Sequence, residues 1–373
     1  MPKLFSAQPA TILAIDTSCD DTAAAVVKGR VVLANVVASQ IQLHKPYGGV
    51  YPTIAKQAHL ENWPATVSKA LAQAQVDWSD LAALAVTVGP GLAPALEVGV
   101  TAAKQLALEH HLPLISVNHL EAHAWSSQVI AKPQAWLSLT PAQQAEISNL
   151  AEPTWPVLAV IVSGGNSLFV EITGFGKNRV LGKTLDDAAG ECLDKVGRML
   201  SLGYPAGPTV EDFAKLGDAK KFKFPLPMTT SDNFDLSFSG LKTHARNEIE
   251  KLIQVDKLDQ AATYDFCAGL QTGVFRHLTH KLGKLLAFRA AVSGRAFSQV
   301  WLGGGVAANM ALRQTLRTTL KPFGLKLSVP YNQRLCGDNA AMIGLVGGLK
   351  FSQGLIEKLP DKVERQPRLT IDN

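Results

Sequence analysis

The chain predicts an α/β protein made of two lobes of related design, and three observations carry that expectation. Residues 12–27 and 157–172 repeat one pattern: an apolar run, a small polar turn, and a second apolar run. Between such runs, stretches with helical spacing of apolar residues recur at 62–74, 94–109, 186–200, 242–258 and 262–288. A length of 373 residues exceeds what one hydrophobic core usually serves.

In the first repeat Ile12-Leu13-Ala14-Ile15 turns through Asp16-Thr17-Ser18-Cys19-Asp20-Asp21-Thr22 and resumes at Ala23 to run to Val27. In the second, Val157 to Val162 turns through Ser163-Gly164-Gly165-Asn166-Ser167 and resumes at Leu168 to reach Ile172. Each reads as a hairpin, and one in each half suggests polar turns that face a shared cleft. A third turn, Gly303-Gly304-Gly305, follows Val300-Trp301-Leu302 and leads into a helix expected over 306–320. One glycine turn alone means only a tight bend. Three small polar turns, each after an apolar strand, favour phosphate and nucleoside contact, because glycine lets backbone N–H groups approach an anion.

The lobes are expected at 11–131 and 157–330, with part of 330–352 packing back on the first. Residues 132–156, rich in Pro, Gln, Ser and Ala, read as a linker or insertion, with a short helix over 141–150 capped by Thr140. Residues 353–373 form a tail, and its charged, proline-bearing end from 359 is expected to fray.

Hydrophobic residues make up 47% of the chain and charged ones 18%, which excludes overall disorder. The apolar stretch 81–108 is broken by Gly89-Pro90-Gly91 and Pro94 and carries Glu97 and Lys104, so no membrane span is expected. The first ten residues lack a secretory pattern. Four widely spaced cysteines, with no CxxC pair, fit reduced thiols and a cytoplasmic location. The net charge of +5 is compatible with an anionic partner without identifying one.

The most informative segment is His119-Leu120-Glu121-Ala122-His123. Two imidazoles four positions apart share one helix face and make a two-point metal clamp. It is not the zinc-protease motif, whose Glu directly follows the first His. Taken alone, such a pair is as often plain helix surface or satisfied core histidines.

Several motifs occur in order along the chain. Asp16-Thr17-Ser18-Cys19-Asp20, Tyr47-Gly48-Gly49-Val50, the His119/His123 pair and Val162-Ser163-Gly164-Gly165 come first. Asp194-Lys195-Val196, Gly203-Tyr204-Pro205-Ala206-Gly207-Pro208, Phe238-Ser239-Gly240-Leu241-Lys242, the glycine turn through Asn309, and Gly337-Asp338-Asn339-Ala340-Ala341-Met342 follow. Over residues 11–350 the chain resembles the TsaD (YgjD) family of bacterial tRNA N6-adenosine threonylcarbamoyltransferases, relatives of the KEOPS catalytic subunit. The resemblance implies the two-lobed actin/Hsp70/sugar-kinase fold with a nucleotide cleft between duplicated lobes.

It also implies roles. His119, His123 and Asp338 match the family's metal ligands, and imply one divalent ion per subunit, Fe2+ first and Zn2+ second. Asp338 also reads as a plain helix N-cap ahead of Asn339. Ile161, Val162, Ser163, Gly164 and Gly165 match the substrate-binding turn. Asp194, Gly207 and Asn309 match positions around the nucleoside, and Glu211 stands at another where Asp is usual; by themselves the first three read as a solvent-facing Asp, a turn Gly and a helix-start Asn. The implied reaction moves L-threonylcarbamoyl from threonylcarbamoyl-AMP to N6 of adenosine 37 in tRNAs reading codons that begin with A. The implied partners are the tRNA anticodon loop, a TsaB-like paralogue and a TsaE-like ATPase, with no membrane.

Departures from the family pattern are Asn166 for His, Glu211 for Asp, Thr53 for Glu, Asp16 and Asp21 for Glu, and Gly337 for Thr. Lys215, Lys220, Lys221, Lys223, Lys242 and Arg246, with Phe222 and Phe224 interleaved, offer one RNA approach surface; the plainer reading is a lysine-rich edge with both rings in the core. The helices at 62–74 and 94–109 are candidate docking faces. The alternatives are a non-catalytic paralogue on the same fold and a small-molecule kinase. The second has no need of a bis-imidazole clamp, and the first would lack the metal ligands. A zinc glycoprotease fails on the position of Glu121.

Overall fold

The computed structural model describes residues 9–134, 138–140, 143, 152–294 and 297–372. The chain divides into two units. One comprises Met1–Thr154, Phe175–Lys177 and Pro330–Asn373, the other Trp155–Gly174 and Asn178–Val329.

The first unit opens with β1 (Thr11–Asp16), β2 (Asp21–Lys28) and β3 (Val31–Ser39), each antiparallel to the next. It continues through α1 (Ile41–His44), α2 (Pro52–Ala74), β4 (Ala83–Gly89), α3 (Ala93–Glu109), β5 (Leu114–Asn118), α4 (His119–Trp125) and β6 (Ile130–Ala131). The second unit holds β7 (Val157–Val162), β8 (Ser167–Gly174), β9 (Lys177–Lys183), α5 (Ala189–Met199), α6 (Gly207–Ala214), α7 (Ser239–Gln254), α8 (Gln260–Ser293), β10 (Gln299–Gly303), α9 (Met310–Leu320) and β11 (Leu327–Ser328). The chain then returns to the first unit as α10 (Ala340–Ser352).

The two sheets repeat one scheme. In the order β5-β4-β1-β2-β3-β6, β1 is antiparallel to β2 and parallel to β4. In the order β11-β10-β7-β8-β9, β7 is antiparallel to β8 and parallel to β10. Strands covered on both faces read as continuous apolar runs, which is why both hairpins were legible. Ile12 pairs with Val27 in one and Val157 with Ile172 in the other.

Leu13, Ile15, Val26, Leu84, Val86 and Leu114 form the core of the first unit with Val67, Ala70 and Leu71 of α2. α10 covers the other side of that sheet at close range. A Cβ on Gly344 would stand 2.7 Å from Val27 Cγ2, and one on Gly347 2.6 Å from Ala85 Cβ. Only glycine permits that approach.

Helix boundaries differ from expectation for local reasons. α2 starts at Pro52, which takes the first helical position, and Pro64 sits inside it instead of near its start. α5 begins at Ala189 and not at residue 186, because the Asp186 and Asp187 side chains are engaged elsewhere. The helix expected over 306–320 is a 3₁₀ turn, Gly305–Ala308, followed by α9 behind its N-cap Asn309. α8 runs on to Ser293 and stops at Gly294, whose φ of 68° supplies the left-handed cap. The short helix expected over 141–150 lies outside the described residues except for Gln143.

Residues 359–372 do not fray. Val363 and Ile371 are buried, Gln366 N–H donates to Val88 O at 2.6 Å, and Gly91 N–H donates to Pro367 O at 3.3 Å. A charged, proline-rich composition hid two apolar anchors. Among the described residues no helix is long and apolar enough to cross a membrane, and no disulfide joins any of the four cysteines.

Candidate metal centre and substrate turns

β5 runs directly into α4 at Asn118, whose Oδ1 accepts the N–H groups of Leu120 (2.9 Å) and Glu121 (3.1 Å). That cap fixes the first turn, and helical spacing then sets His119 and His123 on one face. Their ring centroids are 4.5 Å apart with planes at 78°. From the far end of the sequence, Asp338 brings Oδ1 to 3.4 Å from His119 Nε2 and 3.2 Å from His123 Nε2.

Asp338 is not the cap of α10. Asn339 is, through Oδ1 to the N–H groups of Ala341 (3.1 Å) and Met342 (3.3 Å). The neighbour's cap therefore leaves the Asp338 carboxylate free to face the imidazoles.

These three donors fit a shared cation. Ligands held at about 2.1 Å from one ion stand roughly 3.0–3.4 Å apart in tetrahedral or octahedral arrangement, which the two carboxylate–imidazole spacings match. The one ligand atom that each residue offers lies within 4.8 Å of the other two. The His123 side chain is 1% exposed and that of Asp338 25%, so the centre opens on the Asp338 side.

Behind His119, Asp16 Oδ2 stands 3.5 Å from Nδ1, an ion-pair distance and too long for a hydrogen bond. Its other oxygen accepts Ser18 N–H at 3.1 Å. Burial lowers the pKa of His119, but the Asp16 and Asp338 carboxylates outweigh it and push it up to about 10. Burial would raise Asp338, yet His119 and His123 hold it far below the usual carboxylate range. Burial and the neighbouring His119 charge lower His123. Asp20 and Asp21 are raised by burial, Asp21 to about 7, so the turn after β1 is a crowded acidic wall. Asp16 stands at the candidate site though the sequence placed it only in the first polar turn and motif and as a departure from the family, with no role beside His119. The signal was its place at the end of the first strand.

The second unit collects the other candidates. Ile161 and Val162 are fully buried in β7, where they pair with Leu168 and Ser167 of β8, so neither is exposed to a ligand and the accessible part of the predicted turn begins at Ser163. At the turn, Ser163 N–H donates to Asn166 O at 2.8 Å, and Asn166 N–H donates to Ser163 Oγ at 3.0 Å. Nothing lies within 4 Å of a Cβ built on Gly164 or Gly165. Asp194 of α5 is not solvent-facing. Its Oδ1 accepts the N–H groups of Ala206 (2.9 Å) and Gly207 (2.8 Å), where α6 begins. Glu211 Oε1 accepts Met310 N–H at 2.8 Å, and Asn309 caps α9 while its Nδ2 donates to Gln271 Oε1 at 2.7 Å. Asp194, Gly207, Glu211 and Asn309 thus sit where α5 meets the start of α6 and α6 meets the start of α9.

The lysine-rich edge takes its plainer form. Phe224 is buried, and Phe222 packs on Phe266 with centroids 5.0 Å apart. Lys215 pairs with Asp212 and Lys221 with Asp265, each at 2.7 Å, while Lys242 pairs with Asp187.

A family model described as "TsaD: tRNA N6-adenosine threonylcarbamoyltransferase" matches residues 31–142 and 138–345. The protein of that name from Thermosynechococcus vestitus is 41% identical over 367 residues, 96% of this chain and 95% of the relative. The one from Geobacter sulfurreducens is 42% identical over 337 residues, 90% of each. Among solved structures, HypF of T. kodakarensis superposes with a TM-score of 0.56 at 14% identity, covering 96% of this chain and 50% of that one. That likeness shows the fold, the actin/Hsp70/sugar-kinase α/β class, and nothing more. With the family model matching residues 31–345 and such relatives matching nearly end to end, the chain belongs to the TsaD family of tRNA N6-adenosine threonylcarbamoyltransferases.

Proposed function

We propose that the protein transfers an L-threonylcarbamoyl group from threonylcarbamoyl-AMP to N6 of adenosine 37 in tRNAs reading codons that begin with A, using a divalent ion held by His119, His123 and Asp338. The observation that carries this reading is the convergence of two imidazole nitrogens and one carboxylate oxygen at 3.2 and 3.4 Å. Two nitrogens and one oxygen leave open coordination positions, a donor set that suits Fe2+ and also admits Zn2+.

In the transfer the N6 amine forms a bond to the carbamoyl carbon, the bond to the AMP phosphate breaks, and the amine gives up a proton. An exocyclic adenine amine is a poor nucleophile. The ion would supply Lewis-acid polarisation of the acyl group. The protein's own part is orientation and charge. Asp16 faces the rear nitrogen of His119 and favours the orientation with Nε2 forward. Within the second unit, the open backbone at Gly164 and Gly165 offers N–H donors to an anionic group such as a phosphate. Asp194 keeps one oxygen, Oδ2, beyond its bonds to Ala206 and Gly207, and that oxygen would accept from a ribose hydroxyl. No side chain is assigned as general base.

A TsaB-like paralogue and a TsaE-like ATPase complete the proposed assembly, with α2 and α3 as the docking faces. Four free cysteines support a cytoplasmic setting. The test incubates the protein and these partners with threonylcarbamoyl-AMP and unmodified tRNA, followed by nucleoside analysis. Modified adenosine that depends on His123 supports the reading; its absence from a metal-loaded sample refutes it.

A further inference from the structure

We infer that the C-terminal segment, residues 363–371, positions the metal helix through Asn118. The inference rests on the proposed metal centre, and it concerns residues that neither ligate the ion nor touch substrate.

Asn118 uses both ends of its amide. Oδ1 accepts the N–H groups of Leu120 and Glu121 at the start of α4, while Nδ2 donates to Thr370 O at 2.7 Å. Aspartate is as good a cap but offers no donor when ionised, so the choice of Asn is explained by the second bond. The segment that presents Thr370 is itself held at several points. Val363 and Ile371 are buried and Leu369 packs against the core. Gln366 N–H donates to Val88 O at 2.6 Å, Pro367 O accepts Gly91 N–H at 3.3 Å, and Arg365 pairs with Glu97. A Cβ at Gly89 would lie 1.8 Å from Gln366 O, so the end of β4 is shaped to let the segment pass.

The need for such an anchor follows from α4. It has seven residues, too few for its own hydrogen bonds to hold its axis, and it follows β5 with no intervening loop. His119 is the residue directly after Asn118, and its rear partner Asp16 stands at 3.5 Å. A shift of the Asn118 side chain would therefore disturb the first turn of the helix that carries His119.

The test uses Co2+ as probe, titrated into the full-length protein and followed by its visible absorption. Asn118→Asp keeps the cap and removes the donor; a chain ending at Arg368 removes the Thr370 carbonyl. Each should weaken Co2+ binding about tenfold and alter the absorption bands, the usual scale for a partner behind a ligand. The two changes combined should cost no more than the truncation alone, because the bond from Asn118 to Thr370 is already lost in it. Multiplying losses, or wild-type affinity and bands in folded Asn118→Asp protein, would overturn the inference. If the truncated chain does not fold, Asn118→Asp decides alone. Absence of Co2+ binding by the unaltered protein would refute the metal reading itself and this inference with it.

Discussion

Asp194 Oδ1 accepts the backbone N–H of Gly207 at 2.8 Å, so a carboxylate on one helix closes the start of the next. Burial raises the Asp194 pKa even though two amides favour its charged form. Asp194→Ala would orphan both donors and should lower stability by about 1–2 kcal/mol in urea unfolding. Asp194→Asn keeps an acceptor and should lose less than half of that.

Metal content gives a direct measurement at His123. Removing one of three ligands should cut the affinity of His123→Ala for a divalent ion by well over tenfold, read by metal analysis after dialysis. Metal retained at the wild-type level would dismantle the proposed centre.

Asp16 offers a subtler change. Asp16→Asn keeps the size but takes a charge from 3.5 Å behind His119 Nδ1. Affinity for the ion should fall about tenfold while the fold persists, because the contact orients a ligand without binding the ion. Equilibrium dialysis against a competing chelator measures it.

His277 should make stability depend on acidity. It is fully buried against Phe238, and its Nε2 accepts Ser237 N–H at 3.1 Å. Burial, helped by the Lys281 charge, lowers its pKa to about 4. A histidine depressed on folding leaves stability intact above its ordinary value near 6.5 and drains it as pH falls from there to 4, since the unfolded chain takes the proton first. The loss should reach about 2–3 kcal/mol. His277→Gln, which keeps an acceptor, should flatten that part of the pH profile.

Gly344 lies where α10 meets the sheet, with Val27 Cγ2 2.7 Å from any added Cβ. Gly344→Ala should gain helix propensity yet lower stability by about 1–2 kcal/mol net, because the helix must back away from β2. Asp338 precedes that helix, so metal affinity should fall with it. Unfolding and metal titration on the same variant check both effects.

Local pattern made part of this legible. The buried hairpins announced themselves because strands covered on both faces are written as unbroken apolar runs, and His119 with His123 because helical spacing is fixed. Long-range relations were hidden. Nothing local says that Asp16 stands behind His119, or that Asn339 caps α10 so that Asp338 need not. Phe222 and Phe224 alternate with lysines as a stacking surface would, yet alternation alone cannot say which face is inside. The end of the chain misled through composition, since Val363 and Ile371 are too few to register as an apolar pattern.

The return of the chain to its first unit orders events during synthesis. His119 and His123 leave the ribosome early, but Asp338 follows the whole second unit. A nascent or prematurely terminated product therefore carries two of the three proposed ligands. At the proposed centre, ion loading would wait until Asp338 has been made.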